Sequence, residues 1–206
     1  KNIMATMNVS LPSEMKNWIE FQAQHSGRTV KDESKQGINK VVFDLDNTLI
    51  CEKGESVRSG MFELLDSLKA NNIDMSIWTA STKARAESII DRLDLNQYFI
   101  DVVYRDDYDP EATWGRSLPK DIRYSNGDLL VDDSKKNIEF VESIGLKGFH
   151  ITPYISYIDT SLDEIEQLHQ VILPKVKFNL KRENQLLKRI KKIFVKKKSI
   201  PKWIEC

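Results

Sequence analysis

From Asn39 onward the chain predicts an α/β fold built on a parallel sheet. Short apolar runs alternate with longer stretches of helical periodicity. The runs Val41-Val42-Phe43 and Leu129-Leu130-Val131 are continuously apolar, as strands covered on both faces require. Polar residues suited to chemistry gather directly after these runs, at the carboxyl ends where open α/β sheets carry their sites.

The elements follow in order. Met7, Val9 and Leu11 alternate with Asn8 and Ser10, which predicts a short strand over 6–11. Pro12 then opens a helix with an apolar stripe of Met15, Trp18, Ile19 and Phe21. Residues 26–38 are polar and read as a linker. The stretch Met4–Arg28 resembles the start of a ribbon-helix-helix antitoxin of the ParD type. The second helix of that fold has no counterpart here, so the expectation is a strand-helix appendage packed on the main domain. Strands are predicted at 40–45, 74–78, 101–104, 128–132 and 148–151, and helices at 60–71, 82–93, 134–144 and 161–173. Val176, Leu180, Leu186, Leu187, Ile190, Ile193 and Phe194 recur at helical spacing opposite a Lys/Arg face, which predicts a basic amphipathic helix over 175–198. The organisation expected is an appendage and linker (1–38), the α/β domain (39–174) and a basic tail (175–206).

Composition narrows the classes. A chain of 206 residues, 40% hydrophobic and 30% charged, is long enough for one domain with a real core. No apolar run approaches the roughly 20 residues that cross a bilayer, and no signal peptide is evident. Cys51 and Cys206 are too few and too distant for a disulfide framework or a structural zinc site. They suit a reducing compartment: the cytoplasm, or a host cell's if the protein is delivered there. The net charge of zero hides an asymmetry. Residues 175–206 hold twelve Lys/Arg against Glu183 and Glu205, a net +10, so residues 1–174 carry −10. The basic tail has three readings: a solvated face on the acidic body, a contact with anionic lipid headgroups, or a nucleic-acid contact, the last the least favoured. Val195-Lys196-Lys197-Lys198 before Pro201-Lys202-Trp203-Ile204 resembles a juxtamembrane stretch.

The chemistry-bearing residues lie in four places: Asp44, Asp46 and Thr48 after the first strand; Thr79-Ala80-Ser81 after the second; Lys120 in Leu118-Pro119-Lys120; and Asp132-Asp133 after the fourth. A phosphoryl group in flight carries charge on its equatorial oxygens, so a site that transfers it needs fixed donors and cations. Lys120 can supply a point charge. Thr79 and the backbone N–H groups of Ala80 and Asn47 can supply hydrogen bonds. Carboxylates converging from Asp44, Asp132 and Asp133 repel one another without a cation, which points to Mg²⁺. Lys83 and Arg116 are the alternatives to Lys120 as the phosphate's cation. Asp133 serves either the metal or the orientation of Lys120, Ser81 is a candidate helix N-cap, and Thr48 a brace for its loop. Arg105, Asp106, Asp107, Tyr108 and Asp109 form either a substrate-selecting loop or a solvated one, and Trp114 could stack on an aromatic phosphoresidue. His25, His150 and His169 do not cluster. Cys51 lacks the phosphate-cradling loop that a cysteine nucleophile needs and reads as a small packed side chain.

Taken in order, Asp44-Leu45-Asp46-Asn47-Thr48, Thr79, Lys120 and Asp132-Asp133 resemble the four motifs of the haloacid dehalogenase superfamily, across about residues 39–152. The resemblance implies a Rossmann-like three-layer sandwich. It also implies Asp44 as a nucleophile that forms an aspartyl-phosphate. Asp46 would then be the general acid and later the base, with its backbone carbonyl joining Asp44 and Asp132 as Mg²⁺ ligands. About thirty residues separate Thr48 from Thr79 and about forty separate Thr79 from Lys120, leaving no room for an inserted cap domain. The wording Trp78-Thr79-Ala80-Ser81, Lys120-Asp121-Ile122 and Asp132-Asp133-Ser134 is similar to the capless phosphatases of the RNA polymerase C-terminal repeat, to magnesium-dependent phosphotyrosine phosphatases and to some bacterial effector phosphatases. Asn47 stands where the polymerase-repeat group usually has Glu. The expectation is a Mg²⁺-dependent phosphoprotein phosphatase with phosphotyrosine as first substrate and phosphoserine/threonine as second. The alternatives are a phosphatase of small metabolites or nucleic-acid ends, and a binding module tethered to membrane or DNA.

Overall fold

The computed structural model describes residues 37–111, 118–155 and 162–180. The appendage over 6–25, Trp114, Arg116 and the tail beyond Leu180 lie outside the described residues. Five strands, β1 (Lys40–Phe43), β2 (Asp74–Trp78), β3 (Asp101–Val103), β4 (Leu129–Asp132) and β5 (Lys147–His150), form one all-parallel sheet in the order β3-β2-β1-β4-β5. Lys40 pairs in register with Asp74 and Phe43 with Ile77, while on the other edge of β1 Val41 pairs with Leu129 and Phe43 with Val131. The helices are α1 (Met61–Ala70), α2 (Lys83–Arg92), the single turn α3 (Arg105–Tyr108), α4 (Lys135–Ser143) and α5 (Leu162–Ile172). Among the described residues no helix is long and apolar enough to cross a membrane.

Strand β1 is the hinge of the architecture. The chain steps outward from it through β2 and β3, then returns to its other side through β4 and β5. Parallel crossovers are right-handed, so this reversal sends helices to opposite faces and opens a crevice between the ends of β1 and β4. Side chains of one strand alternate between the faces. Val41, Phe43, Leu129 and Val131 join Leu64, Leu65 and Leu68 of α1, Ile89 and Ile90 of α2 and Ile165 and Leu168 of α5 in the larger core. Val42 and Leu130 point the other way, into a smaller core with Trp78, Ile122, Ile138 and Val141. Burial on both faces is what the uninterrupted apolar runs signalled. Each of the large side chains in these cores contributes about 1.5–3 kcal/mol by leaving water.

The predicted strands hold to within two residues at each end. Strand β1 stops at Phe43 rather than 45, although Asp44 N–H still donates to Val131 O at 2.9 Å. The chain leaves the sheet because Asn47 adopts φ 61°, a left-handed conformation that Asn tolerates better than most residues. Gly60 begins α1 at φ 78°, and a Cβ there would lie 2.9 Å from Leu180 Cδ1, so glycine is needed both for the turn and for the close approach.

The helix expected from 175 does not begin there. Pro174 follows the end of α5, and residues 177–180 are non-helical. Phe178 instead stacks on His169, ring centroids 4.2 Å apart at 15°, and Leu180 packs against the core. Tertiary packing of two large apolar side chains outweighs the weak helical propensity of a short segment.

His169 is buried on α5, its Nε2 2.9 Å from Ser67 Oγ on α1, and burial holds its pKa below the usual imidazole value. A depressed folded-state pKa gives stability above the unfolded value near 6.5 that is lost as pH falls through the folded value. The urea midpoint of the wild type, taken relative to that of His169→Gln, is therefore expected to fall between pH 7.5 and 5.5. Equal pH dependence in both proteins would contradict the assignment.

Candidate functional site

The carboxyl ends of β1 and β4 bring two buried aspartates together. Asp44 follows β1 and is 8% exposed; Asp132 closes β4 and is 1% exposed. Lys120, also buried, lies between them, its Nζ 2.5 Å from Asp44 Oδ1 and 2.8 Å from Asp132 Oδ2. Asp132 is held from two further directions: Ser134 N–H donates to Oδ1 at 2.7 Å and Asn137 Nδ2 to Oδ2 at 2.9 Å. Carboxylate oxygens of Asp44, Asp132 and Asp133 all lie within 4.8 Å of one another. Lys83, the alternative cation among the described residues, turns away to Glu87 at 3.8 Å.

Charge makes this cluster unsatisfied as it stands. With all three carboxylates ionised, one ammonium leaves a net charge of −2. Burial pushes Asp44 up to about 7 despite Lys120, with Asp132 and Asp133 adding to the rise. Asp133 is raised as well, by burial and then by Asp132. Burial would lower Lys120, but Asp44 and Asp132 outweigh it and the ammonium stays charged. A hard divalent cation fits on donor chemistry: it takes oxygen ligands and would neutralise the cluster.

The loop after β1 is fixed by buried groups. Thr48, fully buried, accepts Asp133 N–H on its Oγ1 at 3.1 Å, so it ties the β1 loop to the β4 loop. Arg58 is 2% exposed and donates to Thr48 O at 2.7 Å, Asn47 O at 2.8 Å and Thr152 O at 2.6 Å. Its guanidinium also lies 5.4 Å above the Tyr154 ring, and burial lowers its pKa to about 10. Cys51 is buried in the same loop and its Sγ accepts Glu55 N–H at 3.2 Å.

Asp46 is placed apart from the buried cluster. Arg85 of α2 grips its carboxylate with both nitrogens, Nη2 to Oδ1 at 2.7 Å and Nη1 to Oδ2 at 2.9 Å. Ser81 Oγ donates to the same Oδ2 at 2.7 Å. Ser81 therefore serves Asp46; the N-cap of α2 is Thr82. Thr79 is fully buried, and its Oγ1 accepts Ser81 N–H at 3.0 Å. It does not reach the cavity wall. Ala80, Ser81 and Asn47 do, in a cavity of about 230 Å³ that also touches Asp44, Asp46, Tyr108, Leu118, Lys120 and Asp132–Ser134.

The loop after β3 divides its residues: Asp106 and Asp107 are exposed and cap helices, while Arg105 and Tyr108 reach cavity walls. Asp106 accepts Lys83 N–H at 2.5 Å, capping α2, and Asp107 accepts Tyr104 N–H at 2.7 Å, capping α3. Tyr108 OH donates to Thr79 O at 3.2 Å. His150 and His169 hydrogen-bond different partners, Asp133 O at 3.0 Å and Ser67, and do not meet.

Arg58, Arg85 and Asn137 carried no sequence signal. Each acts on a partner in another element or loop. The one hint was the pair of cations, Lys83 and Arg85, in the first turn of a helix, where the macrodipole disfavours positive charge.

Comparison with known proteins gives one family. The family model described as NLI interacting factor-like phosphatase matches residues 39–186. No curated protein matches the chain significantly. Among solved structures, a haloacid dehalogenase-superfamily hydrolase from Ehrlichia chaffeensis is 19% identical, with 70% of this chain and 100% of that chain covered and a TM-score of 0.48. A putative beta-phosphoglucomutase from Thermotoga maritima is 15% identical over 67% of this chain and 100% of its own, at 0.47. The fission yeast RNA polymerase II CTD phosphatase Fcp1, bound to beryllium fluoride, is 12% identical over 90% of this chain and 60% of its own, at 0.44.

Proposed function

The chain belongs to the NLI interacting factor-like phosphatase family of the haloacid dehalogenase superfamily, and from that premise we propose that it hydrolyses phosphomonoesters on proteins through Asp44 in a cap-free cleft. The observation that carries the reading is the buried Asp44–Lys120–Asp132 cluster opening into a cavity at the switch point of the sheet. The enzyme is a phosphatase; the substrate, the metal and the residue roles are the proposal.

Lys120 engages Asp44 Oδ1, which leaves Oδ2 as the attacking atom. Attack on phosphorus forms the Asp44–phosphate bond and breaks the bond to the leaving oxygen. Asp46, on the wall of the same cavity, serves as the general acid that gives that oxygen its proton. Water then attacks the phosphoaspartate, Asp46 takes the water's proton, and inorganic phosphate departs. Ala80 and Asn47 offer backbone N–H groups to the phosphoryl oxygens, and Lys120 balances their charge. Mg²⁺ held by Asp44, Asp132 and the Asp46 carbonyl, with Asp133 beside them, would supply Lewis-acid stabilisation of the phosphoryl group.

Phosphotyrosine remains the first choice, supported by Tyr108 and Leu118 on the wall of the Asp44 cavity, which offer an apolar flank to an aryl ring. A phosphopeptide panel set against sugar phosphates and nucleotides tests this. The expected result is turnover of phosphotyrosine peptides above phosphoserine peptides, abolished by chelation of divalent ions and restored by Mg²⁺. Faster turnover of metabolites would remove the protein-substrate reading, and full activity in excess chelator would remove the metal.

A further inference from the structure

A second cavity, of about 400 Å³, adjoins the first and shares Asp46, Asn47, Ala80 and Ser81 with it. Two arginines line it. Arg85 stands in the first turn of α2 and Arg105 opens α3. The N-terminal turn of α2 is a positive end that favours anions, and Arg85 adds a guanidinium there. Arg85 is spoken for by Asp46, yet its side chain is 40% exposed and Asp46's is 25%, so solvent screens their ion pair and an anion in the cavity can compete for it. The Arg105 Nε is buried with no hydrogen-bond partner. Glu52 is the other carboxylate on the wall, and it is exposed.

We propose that Arg85 and Arg105 form a subsite for a second anionic group on the substrate, a carboxylate or a further phosphate flanking the phosphoresidue that occupies the Asp44 cavity. Shared walls put the neighbours of a bound phosphoresidue within this second cavity. An anion there would meet the Arg105 guanidinium and compete with Asp46 for the Arg85 fork. Because Arg85 is divided between substrate and Asp46, the preference extends to kcat as well as KM. The inference rests on the phosphoprotein reading and refines it.

The test uses phosphopeptides whose flanking residue is Ala, Glu, phosphoserine or Lys, with p-nitrophenyl phosphate as a substrate too small to reach the subsite. For the wild type, kcat/KM is expected to be at least about tenfold higher with Glu or phosphoserine than with Ala, lowest with Lys, and the ratio to shrink as salt is raised. Whichever of Glu and phosphoserine is turned over faster shows which anion the subsite prefers. Arg105→Met and Arg85→Met are expected to bring the ratio near one, and Arg105→Lys to keep part of it. A wild-type ratio near one, or the same ratio in wild type and variants, overturns the subsite. The salt series reads the wild type alone, so it stands even where a variant folds poorly. Turnover of p-nitrophenyl phosphate without any phosphopeptide turnover would instead overturn the phosphoprotein reading.

Discussion

Asp44→Asn is expected to lose turnover of p-nitrophenyl phosphate by on the order of 10⁴-fold or more in kcat while remaining folded. Removing a covalent nucleophile deletes the reaction path, and losses of that size accompany its removal in other enzymes. Asn keeps the shape of the side chain, and Lys120 keeps Asp132 at 2.8 Å. Stability should move in the opposite direction from activity. Burial raises the Asp44 pKa to about 7 from 3.8, so in metal-free protein its ionisation costs stability progressively as pH rises through that window. The variant carries no such cost. Its melting temperature relative to wild type is expected to be higher at pH 8 than at pH 5, without added metal. Turnover within tenfold of wild type would remove Asp44 as the nucleophile. A melting temperature that collapses at every pH would make Asp44 a structural group.

Lys120→Met is expected to destabilise the metal-free protein by about 3–5 kcal/mol at neutral pH. Methionine fills similar volume, so packing is not the reason. The loss is electrostatic: Asp44 and Asp132 would face each other and Asp133 within a buried cluster with no positive charge. Two conditions should return part of the stability. Mg²⁺ would neutralise the carboxylates directly, and a pH below 6 would protonate the raised Asp44. Urea midpoints at pH 7.5 and 5.5, with and without Mg²⁺, read all of this. An unaltered midpoint at pH 7.5 would mean that the cluster is solvated and the ammonium dispensable. Activity should fall as well, since the phosphoryl oxygens lose their fixed cation, but the stability pattern separates this lysine from a merely catalytic one.

Much of this molecule could be read along the chain because the relevant physics is local. A strand buried on both faces must be apolar at consecutive positions, so Val41–Phe43 and Leu129–Val131 announced themselves. The ends of those strands meet at the switch point of the sheet, so Asp44 and Asp132 were bound to converge once the strands were recognised. The sequence also held the spacing on which the expectation of no inserted cap domain rests. Other features depend on which residues meet after the chain has folded. Asp46 and Arg85 are 39 positions apart and carry no shared pattern; only the docking of α2 beside the β1 loop puts them in contact. Arg58 looks like any surface arginine until the loop, Thr152 and Tyr154 close around it. Thr79 has the expected identity, but it is fully buried, its oxygen accepts Ser81 N–H, and it is absent from the cavity wall. Past Pro174, Phe178 stacks on His169 and residues 175–180 are non-helical where the periodicity suggested a helix; the rest of that segment lies outside the described residues. Backbone pattern and strand-end chemistry are properties of short segments; the grip on Asp46, the brace of the loop and the path of residues 177–180 are set by contacts between distant segments, whose energies exist only in the packed state.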